Sequence, residues 1–261
     1  MTTSRSRPDT TPRIPEIAAA LRSRIDAGEF GTDGKLPSTR QLVDQYEISA
    51  QAIARVVALL KAEGVVVGRQ GAGVFVRSVD PLQWDLTQFE RGARRDDVAA
   101  GLDDWQASVV AQGRTPEQRL IGVTQAPGQA PSRDVARWLE LDADELVIVR
   151  RRLRLVDGVP TQIADSWFRA SFALGTPLME ERDVTMPGGI LAAIGHPQVR
   201  TRDEITPRMP TAEETTLLEL PLGTAVGQHV RIGFGADGLP FRAMVTIAPG
   251  DRNVMIYEME V

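Results

Sequence analysis

The 261-residue chain contains no cysteine, which excludes disulfides, thiolate catalysis and cysteine-ligated zinc at the outset. Histidine is almost as scarce: His196 follows a glycine, His229 sits inside an alternating apolar run, and nothing in their spacing suggests a metal site. Long apolar runs are missing too. None approaches the roughly 20 residues that a bilayer-crossing helix needs, and the polar opening MTTSRSRPDTTPR has no signal-peptide core. A cytoplasmic protein with no membrane partner is the expectation. Of the 30 basic residues only Lys35 and Lys61 are lysine, so positive charge is carried almost entirely by guanidinium groups.

What remains is ordinary globular material. At 42% hydrophobic and 25% charged the chain can fill cores, and its length favours two domains. The net charge of −5 hides an asymmetry: residues 1–78 hold 11 basic against 8 acidic residues, a net of +3, and the rest 19 against 27, a net of −8. Polyanion binding therefore belongs to the front of the chain.

That front has a compact pattern. Ile14, Ile17, Leu21 and Ile25 recur at helical spacing. In LPSTRQL, Ser38 with Gln41 three residues on makes a capping box. Ser49 caps a longer helix with Ile53, Val56, Val57 and Leu60 inward, closed by Gly64. VVV, the turn GRQGAG and VFVR then make a two-stranded wing. A helix, a tight turn, a second helix and a hairpin suit duplex DNA: the second helix fits a major groove, while helix N-termini and a glycine-rich wing can meet phosphates. The turn lies between two strands and opens no helix, so a nucleotide phosphate loop is excluded.

The stretch GKLPSTRQLVDQYEISAQAIARVVALLKAEGVVVGRQGAGVFV resembles the DNA-binding domain of the GntR family of bacterial transcription regulators. The shared pattern is Leu-Pro-Ser-x-Arg-x-Leu, a serine opening the recognition helix, Leu-x-x-x-Gly at its end and a Gly-rich wing. Arg40 matches the family's phosphate-contacting arginine. Family members usually carry arginine directly after the recognition-helix serine, and often another four residues later; here Ala50 and Ala54 stand there. Gln51 and Arg55 are expected partly to replace that pair, since an amide reads adenine and a guanidinium reads guanine or holds phosphate. The expected DNA-contacting set is Ser38, Arg40, Ser49, Gln51, Arg55, Lys61, Arg69, Gln70 and Gly71.

Residues 11–78 are thus assigned to a winged helix-turn-helix domain, 79–97 to a charged connector and 98–261 to a second domain. There, DDWQASVVAQ reads as a short helix feeding a strand, and SRDVARWLEL as an amphipathic helix. ELVIVRRRLRLVDGVPTQIADSWF reads as a hairpin around Asp-Gly. GILAAIG, then AEETTLLEL capped by Thr211, read as helices; GQHVRIGF and PFRAMVTIAP are the last hairpin, and NVMIYEMEV an edge strand. Trp105, Trp138 and Trp167 are expected in cores. Helices alternating with antiparallel hairpins indicate an α+β fold.

LELDADELVIVRRRLRLVDGVP, RMPTAEETTLLELPLGTAV and GADGLPF resemble the UTRA effector-binding domain of HutC-type GntR regulators, whose chorismate lyase-like fold is an antiparallel sheet with helices. The resemblance implies that Arg152 and Arg154 hold a phosphate or carboxylate of a small-molecule effector. Independently, Arg150, Arg152 and Arg154 alternate onto one strand face, where three guanidiniums repel unless an anion is near. The family's sugar-binding members carry a glutamate where this chain has Ala164, with Asp165 beside it pointing to the opposite face, and another carboxylate where it has Arg242. The candidate effector set is Arg150, Arg152, Arg154, Asp165 and Arg242. An amino-sugar phosphate is disfavoured, and a more acidic or different ligand is expected.

The resulting expectation is a transcriptional regulator, a homodimeric repressor of a palindromic double-stranded DNA operator, released by an anionic effector and needing no cofactor or metal. The alternative is a constitutive repressor, for example of plasmid transfer genes, whose rear domain only dimerises. With no nucleophile–base pair in the sequence, an enzyme is not expected.

Overall fold

A computed structural model of the chain describes residues 14–31, 34–69, 71–77, 80–87, 101–127, 133–142, 144–186, 189–221 and 223–259. It divides into two units, one formed by the chain up to residue 79 with residues 221–224, the other by the remainder from residue 80.

In the first unit, three helices, α1 (Ile14–Asp26), α2 (Thr39–Tyr46) and α3 (Ala50–Ala62), precede strands β1 (Val66–Arg69) and β2 (Gly73–Val76). Local chemistry sets the boundaries. Ser38 accepts from the Gln41 main-chain nitrogen while the Gln41 side chain accepts from the Ser38 nitrogen, a closed capping box at α2. Glu47 takes a left-handed φ of 53° in the turn, and Ser49 caps α3 by accepting from Ala52. Gly64, at φ +71°, ends α3 by letting Val65 donate back to the Leu60 carbonyl. The helices close over Ile17, Leu21, Leu42, Ile53, Val56 and Leu60, each at most 1% exposed. At roughly 2 kcal/mol per fully buried aliphatic side chain this core outweighs the caps, which contribute about 1 kcal/mol each. β1 and β2 pair antiparallel as the wing, and Lys35 bridges to Phe75 beside them.

The second unit contains β3 (Leu82–Asp85), α4 (Asp104–Ala111), β4 (Pro116–Pro127), α5 (Arg133–Trp138), β5 (Leu146–Val156), β6 (Val159–Arg169), α6 (Ala170–Ala173), a 3-10 turn (Pro177–Met179), α7 (Ile190–Ala193), β7 (Arg200–Arg208), α8 (Ala212–Leu217), β8 (Val226–Phe234), β9 (Pro240–Pro249) and β10 (Asn253–Ile256). Six strands form one antiparallel sheet in the order β4-β5-β6-β9-β8-β7. Asp157 and Gly158, both at positive φ, make the predicted β5–β6 turn.

Three features differ from the sequence reading. β7, RTRDEITPR, lacks the apolar alternation of a half-buried strand because it is an exposed edge. β3 lies inside the segment read as connector, where Leu82, Trp84 and Leu86 alternate and are each at most 2% exposed. β10 is not an edge of the large sheet; it pairs in parallel with β3.

One sheet face is covered by α5 and α8, through Trp138, Leu139 and Leu218 against Val147, Val230, Ile232 and Ile247. The other carries two apolar covers. Trp84, Trp105 and Val109 pack with Met244 and Ala248, and Phe172, Leu178 and Leu191 pack with Ile148 and Phe168. Trp105 and Trp138 are buried as expected, and Trp167 is partly buried in the α5 cluster. Along β5, the residues between Ile148 and Val156 on the second face are Arg150, Arg152 and Arg154, so a cationic band separates apolar ends.

Candidate functional site

In the first unit, α3 turns its apolar stripe inward, leaving Gln51 and Arg55, one turn apart, exposed on the opposite side with Ala54 between them. Arg40 is exposed in the first turn of α2. Ser38 and Ser49 spend their hydroxyl acceptors on their own helix caps, so their part is to shape the helix ends. Lys61 lies at the far end of α3, its amino group against the wing: a Cβ placed on Gly68 would sit 2.8 Å from it. Gly71, at φ +71°, turns the exposed wing tip with nothing near its Cα hydrogen, and Arg69 is the last residue of β1. Gln70 lies outside the described residues.

In the second unit, cross-strand register defines the site. Directly opposed residues share a face, so rows can be followed across the sheet. One row is Arg152, Ala164, Thr246, His229 and Ile205. The next is Arg150, Ser166, Met244, Arg231 and Asp203, and beyond it come Ile148, Phe168, Arg242 and Gly233. Arg154, opposite Gln162, flanks the other side. The described strands thus bring five guanidinium groups (Arg150, Arg152, Arg154, Arg231 and Arg242) to one face with a single carboxylate, Asp203.

These arginines are not equivalent. Arg150 is 4% exposed and donates to three main-chain oxygens, of Leu178 and Glu180 at 2.7 Å and of Arg182 at 2.6 Å. Its geometry is that of a clamp on the 178–182 segment, not of an effector ligand. Arg154, 2% exposed, donates to Gln118 at 3.0 Å and packs its guanidinium 4.9 Å over the Trp105 ring. Arg152 donates to the Ser166 hydroxyl at 3.1 Å, and Arg242 lies 5.9 Å over the Phe168 ring.

Asp203 is fully engaged. Its Oδ1 accepts from His229 Nε2 at 2.9 Å and Arg231 Nε at 2.8 Å, and its Oδ2 from Arg231 Nη2 at 2.8 Å. Burial alone would raise its pKa, but these donors hold the carboxyl well below the ordinary range. Asp165 stands apart. It faces the other side of the sheet, where Oδ2 accepts from Arg151 at 3.1 Å and Oδ1 is buried with no hydrogen-bond partner among the described residues. Burial pushes its pKa up to about 6, against the pull of Arg151, which also binds Glu213 at 2.9 Å. The structure therefore brings Arg152, Arg154 and Arg242 onto one face and does not bring Asp165 to it.

Sequence reasoning missed Ser166, Thr246, His229 and Arg231 on this face. The alternation of β8 and β9 held the signal, but only the register shows which alternate residues join the arginines. His196 follows α7 and sets its ring 4.1 Å from that of Phe172. It lines a separate groove of about 570 Å³ with Phe172, Leu239 and Phe241, which contains none of the five arginines. Among the described residues no group of three or more His, Asp or Glu could hold a metal ion, and no helix is long and apolar enough to cross a membrane.

Comparison with known proteins agrees with both halves. Residues 14–76 match the family of bacterial regulatory proteins called gntR, and residues 111–253 match the UTRA domain. An HTH-type transcriptional regulator of Streptomyces coelicolor is 27% identical over 96% of this chain and 93% of its own. The HTH-type transcriptional repressor NagR of Bacillus subtilis is 24% identical over 94% and 93%. Among solved structures, a GntR-family transcriptional regulator aligns with a TM-score of 0.61 at 23% identity, covering 96% of this chain and 98% of that one. PhnF from Mycobacterium smegmatis aligns at 0.56 and 20% identity, covering 94% and 99%. At these identities the structural likeness establishes the fold.

Proposed function

This chain belongs to the gntR family of bacterial transcriptional regulators with a UTRA domain, not to the enzymes, and from that premise we propose a repressor that binds a palindromic operator as a homodimer and is released by a small anionic effector. The repressor direction rests on its similarity to NagR. In the DNA-bound form α3 lies in the major groove with Gln51 and Arg55 towards base edges, while Arg40 and the wing at Arg69 and Gly71 hold the backbone. Two winged units in a homodimer meet half-sites about one helical turn or more apart.

The effector reading rests on one observation: five arginines share a sheet face whose single strand carboxylate is already bonded to Arg231 and His229. An anion there lowers the mutual repulsion of these guanidinium groups. Release of DNA then requires the effector to favour the arrangement that fits the operator less well.

The test is recovery of genomic fragments bound by the purified protein, followed by titration of the operator so identified with acidic metabolites. The proposal predicts a concentrated operator site, a dimer by light scattering, and at least one anion that both raises the melting temperature and releases DNA. A protein that ignores its own promoter region at low ionic strength would refute the regulator reading. Operator binding that no anion alters would leave the constitutive reading instead.

A further inference from the structure

Thr246 and His229 are opposed across β9 and β8 on the arginine face, and both are 0% exposed. Each carries one polar atom, Thr246 Oγ1 and His229 Nδ1, that is buried without a hydrogen-bond partner among the described residues. A buried polar atom without a partner keeps its full desolvation penalty. Two in one row, beside an anion-attracting band, point to a ligand that supplies the missing partners.

The chemistry of that ligand follows from the neighbours. His229 Nε2 lies 2.9 Å from Asp203 Oδ1, and the tautomer that donates there presents a lone pair at Nδ1 that calls for a donor. The Thr246 hydroxyl can accept or donate. Ala164, the residue between Arg152 and Thr246 in the row, keeps the space above β6 low. Strands lie about 4.8 Å apart, so Arg152 and Thr246 are roughly 10 Å apart at the backbone, and the long arginine side chain shortens the gap between their polar ends to a few bonds. An ammonium group has no place here, because Asp203 already accepts three hydrogen bonds.

We propose that the effector is a hydroxylated anion, a hydroxy acid or a polyol phosphate, whose anionic group lies against Arg152 and whose hydroxyl donates to His229 Nδ1 and meets Thr246 Oγ1. This deepens the anion-site reading and rests on it. The Trp84 ring stands edge-on to His229, 5.0 Å between centroids, so the hydroxyl end of the ligand borders strand β3.

The test uses full-length protein and matched anions with and without the hydroxyl: malate against succinate, and glycerol 3-phosphate against propyl phosphate, with inorganic phosphate as reference. Calorimetry should show the hydroxylated member of one pair binding about tenfold tighter, the effect of one well-made hydrogen bond; the pair that responds distinguishes carboxylate from phosphate. Thr246→Val, close to isosteric, should reduce that ratio to threefold or less. In the unaltered protein, nitrogen-15 spectra of two histidines assign readily, and the His229 Nδ1 resonance should move with the hydroxylated ligand and not with its partner. Equal affinities within both pairs, or a silent Nδ1 during tight binding, overturn the hydroxyl contact while leaving the anion site intact. Absence of binding by all five anions overturns the anion site, and the hydroxyl contact with it.

Discussion

Arg231 reaches from the sheet to the main chain beyond β3: its Nη2 donates to the carbonyl oxygen of Leu86 at 2.6 Å. The same guanidinium is held by Asp203, which also binds His229. The stretch 80–87 is fastened at further points. The Gln112 amide accepts from Gln83 nitrogen at 2.9 Å and donates to its oxygen at 3.0 Å, and Arg114 donates to the Asp80 oxygen at 2.9 Å. Within the second unit, the stretch 80–87 is therefore bonded to Arg231, one of the arginines of the face that carries the proposed site.

Replacing Arg231 tests that fastening. Arg231→Met keeps an unbranched side chain but takes the guanidinium away from the Leu86 oxygen and leaves Asp203 with His229 as its donor. The expected loss is about 3–5 kcal/mol of unfolding free energy in denaturant titration, the cost of breaking a buried pair. Gln112→Ala removes an exposed clamp and should cost about 1 kcal/mol.

Arg150 serves a different end. With three carbonyl oxygens on one guanidinium, Arg150→Ala should free the 178–182 segment, seen as faster proteolysis there and a stability loss of about 3 kcal/mol. Arg150→Lys should recover little, because an ammonium group does not reproduce the planar fork.

Asp165 should make stability fall as pH rises. Its folded pKa of about 6 lies above the unfolded value of about 3.9, so its contribution is complete below pH 4 and is lost as pH climbs through 6. Asp165→Asn should flatten the stability curve between pH 4 and 7 and stabilise the protein above it by on the order of 1–3 kcal/mol, since Arg151 keeps Glu213. Asp203 acts with the opposite sign: its depressed pKa contributes stability above pH 4 that disappears on further acidification.

On DNA, Arg40→Ala should weaken operator binding roughly tenfold regardless of sequence and lower the salt slope by about one. Arg55→Ala should also relax preference at one base pair, which competition among operator variants will reveal. Unchanged affinity and salt slope for both would remove this docking geometry.

The winged unit was legible because its boundaries are local: a serine and a glutamine three residues apart, a second serine and one glycine decide where α2 and α3 begin and end. The β5–β6 hairpin was legible for the same reason, through Asp157 and Gly158. β3 shows apolar alternation over only a few residues, and its partner β10 lies far along the chain, beyond the reach of local signals. The site was half legible. Alternation placed three arginines on one face, yet it could not tell that Arg150 grips carbonyl oxygens while Arg152 faces Ser166, nor that β8 and β9 bring His229 and Thr246 beside them. Those facts belong to register, which hydrophobic pattern and turns fix only strand by strand.

The pairing of β3 with β10 imposes an order on synthesis. Thr87 and its hydrogen-bonding partner Glu258 are 171 residues apart. At about 5–20 residues per second, the ribosome takes roughly 10–30 s to make the intervening chain. Throughout that interval the nascent polypeptide already holds the three helices and the wing, whereas β3 still awaits its mate. Any chain cut short before residue 253 would keep the three helices and the wing and lack the strand that β3 pairs with.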